Sequence, residues 1–382
     1  MTRAYALAQA LAHTGYDVEI SGLKLTAGPL YPVPPSSVNV KQINSHSRLF
    51  GLLRLAFALD GDIVYAIKPR LSSYGVALLK RRLSGTPVVL DIDDWEMAEM
   101  APHIRPPGKK ASRPRSPRSF GTRVAGRARR MLRNGLRWLD PADVRYLRWL
   151  DKTICSADAI TVNTRLLHIR YGGTYVPQCK DTGIYDPDKY DPESSRRRYG
   201  LSDYIVLMFP GTARPHKGLE DILTAMDALQ NRNARLVIVG GRSCCESYVA
   251  QLMQRWSHWI VRLPSFPQEQ MPEIVAAAHV IVVPQRDTGI ARAQFPMKLT
   301  DGMAMAKPIL ATSVGDIPEI LGSCGYLVAP SSPEQLTRVL KRILEQPQAA
   351  TTRGNQARER FLRCYSLGAV GPVLSGVFET LR

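Results

Sequence analysis

The chain has 382 residues, long enough for two domains of ordinary size. It is 45% hydrophobic and 22% charged, which fits a globular protein, and its longest apolar runs, 205–209 and 280–283, are strand length, far short of the roughly 20 residues that cross a bilayer. The net charge of +18 is concentrated: residues 105–148 hold 14 Lys and Arg against Asp140 and Asp143, so a basic surface is local rather than global. The six cysteines form no Cys-x-x-Cys pair, and the adjacent Cys244 and Cys245 suit neither a tetrahedral metal site nor ordinary disulfide geometry. They read as thiols of a reducing cytoplasm.

In chain order, residues 3–15 predict an Ala/Leu-rich helix ended by Gly15. Strands are expected at 17–20, 37–40, 62–67, 87–92, 157–162 and 174–177, with a short helix over 73–82. The run Pro87–Ile92 does not alternate, which suggests a sheet covered on both faces. A doubly wound domain normally opens on a strand and a Gly-rich turn, whereas this sequence opens on a helix. Either the start is placed late or the domain lacks part of its substrate wall.

Residues 178–203 are polar and read as an interdomain linker. Strands are then expected at 204–209, 235–240, 259–263, 279–284, 308–312 and 325–328. Helices are expected at 218–230, 246–257, 270–277, 298–306, 315–321 and 333–345. The alternation predicts an α/β chain of two Rossmann-like, doubly wound domains facing a cleft: residues 1–177, then 204–354, with a terminal helix over 355–382 returning to the first.

Ligands of such sheets bind beyond the carboxyl ends of strands, at helix N-termini. Three loops of the second domain meet that description. In 209–218, Gly211 permits a tight turn, and Arg214, His216 and Lys217 precede a helix; the alternative is a solvated basic loop. Gly240 and Gly241 follow another strand, a weak signal alone. In 294–301, Pro296 suits a first helical turn, Lys298 adds charge beside the open N–H groups from about Phe295 onward, and Asp301 can face the same side. Asp301 would accept ribose hydroxyls, or else simply stabilise the helix dipole.

Residues 215–218 (PHKG) and the run PMKLTDGMAMAKPILATSVGDIPEIL resemble the nucleotide-sugar site of retaining glycosyltransferases of the GT-B fold, family 4 in particular. The resemblance covers roughly residues 60–380 and is most specific over 296–319. It implies transfer of a hexosyl group from a nucleoside diphosphate sugar to a glycan or lipid-linked acceptor hydroxyl, with retention and without a metal or other cofactor. It makes Lys217 a diphosphate ligand. Thr212 stands where the family has Arg, with Arg214 as the substitute. Of the family's two acids, the second falls on Asp301 and the first on Ala293, leaving Gln294 or Asp287 for the sugar; the alternative is a catalytically degenerate GT-B protein that binds nucleotide sugar or a partner without turnover. Catalysis is thus assigned to Lys217, Arg214 and Asp301, and donor binding to Gly211, Thr212, His216, Gly240, Gln294, Phe295, Pro296 and Lys298. On the acceptor side, Lys68 stands where many relatives have His, and Lys68 and Arg70 are placed to hold a phosphate-bearing acceptor beside Asp93 and Asp94. The three acids Asp91, Asp93 and Asp94 at this strand end read equally as metal-free loop capping.

Within the basic segment, Phe120, Val124, Ala128, Met131, Leu132, Trp138 and Leu139 fall in one helical arc of about 120°, opposite six arginines. Such a helix over 120–139 suits an anionic membrane surface, or packs on its own domain with a solvated Arg face. It lacks the interleaved aromatics expected for nucleic acid. The resulting expectation is a cytoplasmic protein peripheral to the inner face of the plasma membrane, binding no nucleic acid.

Overall fold

The computed structural model describes residues 2–24, 36–45, 47–97, 144–241 and 246–381, with Leu30 and Pro34. The helix expected over 120–139, Arg242 and the Cys244–Cys245 pair lie outside the described residues. Twelve strands are seen among the described residues, all in parallel pairings.

In the first domain, β1 (Glu19–Lys24) pairs with β2 (Asn39–Asn44) as a separate ribbon. A four-stranded sheet follows, in the order β3 (Val64–Ile67), β4 (Val88–Ile92), β5 (Ala159–Val162), β6 (Thr174–Tyr175). Among the described residues no strand joins β1 to β3. All five residues of β4 are buried, as its unbroken apolar run requires of a strand covered on both faces. Val88, Leu90 and Ile92 pack under the helices Val76–Ser84, Val144–Lys152 and Arg165–Tyr171. Val89, on the opposite face, meets the helices Thr2–His13 and Leu367–Glu379.

The second domain is one sheet in the order β12 (Tyr326–Val328), β11 (Ile309–Thr312), β10 (Val280–Val283), β7 (Ile205–Pro210), β8 (Ala234–Val239), β9 (Ile260–Leu263). Chain order reverses between β7 and β10, the switch point at which doubly wound sheets open a ligand crevice. Two separate apolar clusters cover its faces.

Three features differ from the sequence reading. The helix Arg48–Ala58 was not expected. The stretch taken as a linker is packed: Tyr185 and Leu201 belong to the second domain's core, and the helix Pro192–Arg198 ties to it when Arg196 donates to the Ala277 carbonyl. The expected single terminal helix is two, Pro347–Cys364 and Leu367–Glu379. Ser366 caps the second by accepting from Ala369 N–H at 3.1 Å, so the chain turns there and crosses to the first domain. The two interdomain crossings pair with each other, Lys180 N–H donating to the Tyr365 carbonyl at 3.0 Å and Leu367 N–H to the Lys180 carbonyl at 3.2 Å.

Asp91, read as a possible site acid, is structural. Its carboxylate takes two bonds from the Arg3 guanidinium, at 2.8 and 3.1 Å, and one from the Thr161 hydroxyl at 2.8 Å. Arg3 also donates to the Val176 and Pro177 carbonyls, locking the first helix to β4 and to the interdomain crossing. Asp91→Ala would leave the Arg3 charge buried and unpaired, and should cost about 3–5 kcal/mol in chemical denaturation. Arg81→Ala, which strips the part-exposed pair with Asp158, should cost under about 1 kcal/mol.

Candidate functional site

Both arms of the switch point deliver cations. Beyond β7, Gly211 adopts φ 135°, open to glycine but strained for other residues. A Cβ there would stand 3.1 Å from Lys298 Nζ, so the bare Cα makes room for that ammonium. The turn Pro215–Lys217 follows and is closed by Gly218 at φ 68°, whose Cβ would collide with the Pro284 carbonyl at 2.0 Å. This close approach draws Lys217 against the loop that leaves β10. Lys217 is 9% exposed and donates to Gln294 Oε1 at 3.0 Å.

Lys298 lies in the first turn of the helix Met297–Ala304, with its Nζ 4.4 Å from the centre of the Phe209 ring. Pro296 is the capping residue just ahead of that helix rather than inside its first turn. The N–H groups of Met297 and Lys298 therefore have no helical acceptor behind them. Gly302 lets the helix approach β10, since a Cβ there would be 2.9 Å from Ile281. Gly211 N–H donates to Val239 O beside Gly240, while Phe295 is buried in the second domain's core and stacks edge-on against Tyr365.

Among the described residues neither Lys217 nor Lys298 forms an ion pair. The nearest acids in the adjoining helix, Glu220 and Asp221, are held by Arg286 at 3.3 and 3.0 Å. Burial pushes the Lys298 ammonium down to about 8, with Arg214 adding repulsion against the opposing pull of Asp301. Burial likewise drives Lys217 well below the usual lysine range, helped by Lys298 and Arg214. His216 is pushed down to about 3 by burial and by Lys217, Arg214 and Lys298, and its buried Nε2 has no hydrogen-bond partner. Three cations and an orphaned imidazole thus share one crevice with no ion-paired counter-charge among the described residues. That arrangement fits a polyanion such as a diphosphate.

The opposite wall comes from the first domain. Asp94 is close enough to act on Lys217, and Trp95 would touch a Cβ placed on Gly289, at 3.9 Å. A second contact closes the cleft where Arg165 N–H donates to Asp316 at 2.8 Å. Lys68 has φ 71°, unusual for a side-chain-bearing residue, and its ammonium lies 3.3, 2.5 and 3.1 Å from Asp93, Asp94 and Glu96. Burial opposes its charge, but the three carboxylates together hold it above the ordinary lysine value. Arg70 binds Glu96 at 2.6 Å. Lys68 and Arg70, expected on the acceptor side, are thus both paired with carboxylates, in a cluster of three acids and two bases. Asp93 is pushed up to about 6 by burial, against the pull of Lys68. Its Oδ1 forms the 3.3 Å ion pair with Lys68 but has no hydrogen-bond partner.

Asp301 stands apart from the other donor-side residues. It is 6% exposed, and its Oδ1 is 2.6 Å from the Lys180 ammonium on the interdomain crossing. Asp287 is spent on the exposed Arg292. Sequence reasoning missed Lys180 and Glu96. Glu96 closes the same acid-rich run as Asp93 and Asp94, so a count of acids to its end would have found it. No local signal marks Lys180.

Residues 204–346 match the family described as Glycosyl transferases group 1. The chain is 25% identical over 240 residues to the MMP alpha-(1->4)-mannosyltransferase of Mycolicibacterium hassiacum, covering 59% of this chain and 53% of that protein. It is 26% identical over 218 residues to the GDP-mannose-dependent alpha-(1-6)-phosphatidylinositol monomannoside mannosyltransferase of Mycolicibacterium smegmatis, covering 53% and 57%. The chain spans about half the length of these curated relatives. In fold it is similar to sucrose-phosphate synthase from Thermosynechococcus elongatus, with TM-score 0.70, 18% identity and coverage of 98% and 91%. It is equally similar to Anabaena HepE in complex with UDP and glucose, with TM-score 0.70, 14% identity and coverage of 99% and 96%. The architecture is therefore GT-B.

The lowered Lys298 value gives a signed pH test. A bound polyanion raises that value, so binding is strongest below pH 8 and weakens as pH rises through 8, where the free site sheds its proton. Calorimetry with a nucleoside diphosphate should show affinity falling by up to about tenfold per pH unit above 8. Lys298→Gln should bind more weakly at pH 7 and flatten the slope attributable to this residue.

Proposed function

We propose that this chain, which has a group 1 glycosyltransferase domain on a GT-B frame, moves a hexosyl group from a nucleoside diphosphate sugar to an acceptor hydroxyl with retained anomeric configuration. We assign it to cell-surface glycan or glycolipid synthesis, on the cytoplasmic side of the membrane. The observation that carries the reading is the uncompensated cluster of Lys217, Lys298, Arg214 and His216 at the switch point. As the bond between sugar C1 and the diphosphate oxygen breaks, the electron pair leaves with the diphosphate. The two lysines, Arg214 and the N–H groups at Met297–Lys298 are in place to receive that charge. Because these groups supply the positive charge, we propose a metal-independent transfer, which excess EDTA should leave unchanged.

The facing acids take the other half of the reaction. Asp93 and Asp94 suit an acceptor hydroxyl, which donates to a carboxylate, better than they suit a phosphate. The spare oxygen of Asp301 is assigned to the ribose. Gln294, bound to Lys217, borders the sugar in place of the family acid that Ala293 lacks. The named activities of the relatives make GDP-mannose the first donor to assay, followed by UDP sugars.

Lys217→Met with Lys298→Met should weaken nucleoside diphosphate binding at least about a hundredfold and abolish transfer. Unchanged affinity in the double variant would refute the site. NMR of the product anomer reads the stereochemistry. Asp93 is ionised only above about 6, so transfer should fall on the acid side of that value. Asp93→Asn should remove this acid limb and most of the rate while leaving nucleotide affinity intact.

A further inference from the structure

The large apolar side chains that stand exposed are unevenly placed. Phe50, Leu53, Phe57, Leu83, Trp149 and Ile169 lie in one helical layer of the first domain, with Leu362 and Val373 elsewhere. The layer consists of Arg48–Ala58, Val76–Ser84, Val144–Lys152 and Arg165–Tyr171, the first two packed together through Leu52, Leu55, Ala56 and Val76. The helix Arg48–Ala58 buries Leu52, Leu55 and Ala56. Its outward side carries Phe50, Leu53 and Phe57, at 65%, 46% and 73% exposure, a stripe at i, i+3 and i+7. Such a stripe in contact with water marks an interaction surface.

Charge selects the partner. Arg54 is exposed within the stripe, and exposed Arg82 adjoins Leu83 on the neighbouring helix, with part-buried Lys80 close by. The helices Arg48–Ala58 and Val76–Ser84 hold five Lys and Arg and no acid, Arg81 being paired with Asp158; Asp60 and Asp62 lie past the end of the first helix. A second copy meeting this face by two-fold symmetry would set like charges against one another. A surface of anionic headgroups over hydrocarbon answers both the cations and the aromatics. No helix among the described residues is long and apolar enough to cross a membrane, so the contact is adhesion.

We propose that this face docks on an anionic lipid bilayer, with Phe50, Leu53 and Phe57 at the acyl boundary and Arg54, Lys80 and Arg82 on the phosphates. The surface is separate from the switch-point crevice and from the sequence segment 105–143. It does not depend on the reaction proposed above.

The test is flotation of the full chain with vesicles of phosphatidylcholine alone, or with added phosphatidylglycerol, while nucleoside diphosphate binding is measured on the same samples. The chain should float with the anionic vesicles only. Phe50→Ser with Phe57→Ser should cut the bound fraction about tenfold or more, as should Arg54→Glu with Arg82→Glu, with nucleotide affinity unchanged. Phe57→Trp should shift its emission to the blue on anionic vesicles, a readout that does not require loss of binding. No flotation, equal flotation on neutral vesicles, or flotation undiminished in the Phe50/Phe57 double variant would each overturn the proposal. So would self-association in solution that this variant abolishes.

Discussion

Uncompensated positive charge at the switch point of the second sheet is the constraint around which the molecule is arranged. Lys217, Lys298 and Arg214 repel one another, and burial adds the cost of lost hydration to two of them. Asp301 pulls on Lys298 and Asp94 on Lys217, but among the described residues neither lysine has an ion-paired acid, and Glu220 and Asp221 in the adjoining helix are held by Arg286. The cluster is instead imposed by rigid packing: β7 and β10 lie side by side, Gly211 and Gly218 give the loop its tight path, and Gly302 seats the Lys298 helix against Ile281. Two apolar clusters on the faces of the sheet provide the stability that lets such a site persist. A site prepared in this way loses little reorganisation energy when negative charge arrives, which is the condition for stabilising a leaving anion.

The first domain's wall is built on the opposite logic. Its cations are bound within the wall itself, Lys68 by three carboxylates and Arg70 by Glu96, leaving an excess of acid and an unpartnered oxygen on Asp93. One side of the cleft therefore carries an excess of cations and the other an excess of acid. Asp94, which acts on Lys217, is where the two fields meet. An anionic leaving group and a hydrogen-bond-donating acceptor are thereby sorted to different walls. The strained backbone of Lys68 belongs to this arrangement, since it aims the ammonium at the carboxylates after β4.

Lys180 links these walls mechanically. It lies on one chain crossing, hydrogen-bonds through its backbone to the other, and its ammonium holds Asp301 on the helix that begins at Met297. A ligand hydroxyl reaching Asp301 would therefore bear on a buried ion pair at the interdomain crossing.

The sequence was most legible where a single physical rule governs. Continuous apolar strands, β4, β7 and β10 among them, are covered on both faces, and the structure places them within a residue or two of the expected spans. The glycine and lysine loops at the switch point follow from strand ends. Contacts set by tertiary closure were not legible: Lys180 with Asp301, Glu96 across Lys68 and Arg70, and the capture of Asp91 by Arg3. The helix Arg48–Ala58 escaped for a different reason. A helix is recognised by a polar face alternating with an apolar one every 3.6 residues, and RLFGLLRLAFA lacks that contrast because Phe50, Leu53 and Phe57 occupy the side that should be polar. The property that concealed the helix is the one that needs explaining in the folded protein. A chain that keeps two phenylalanines in water with an exposed arginine between them has a stripe suited to some medium other than water.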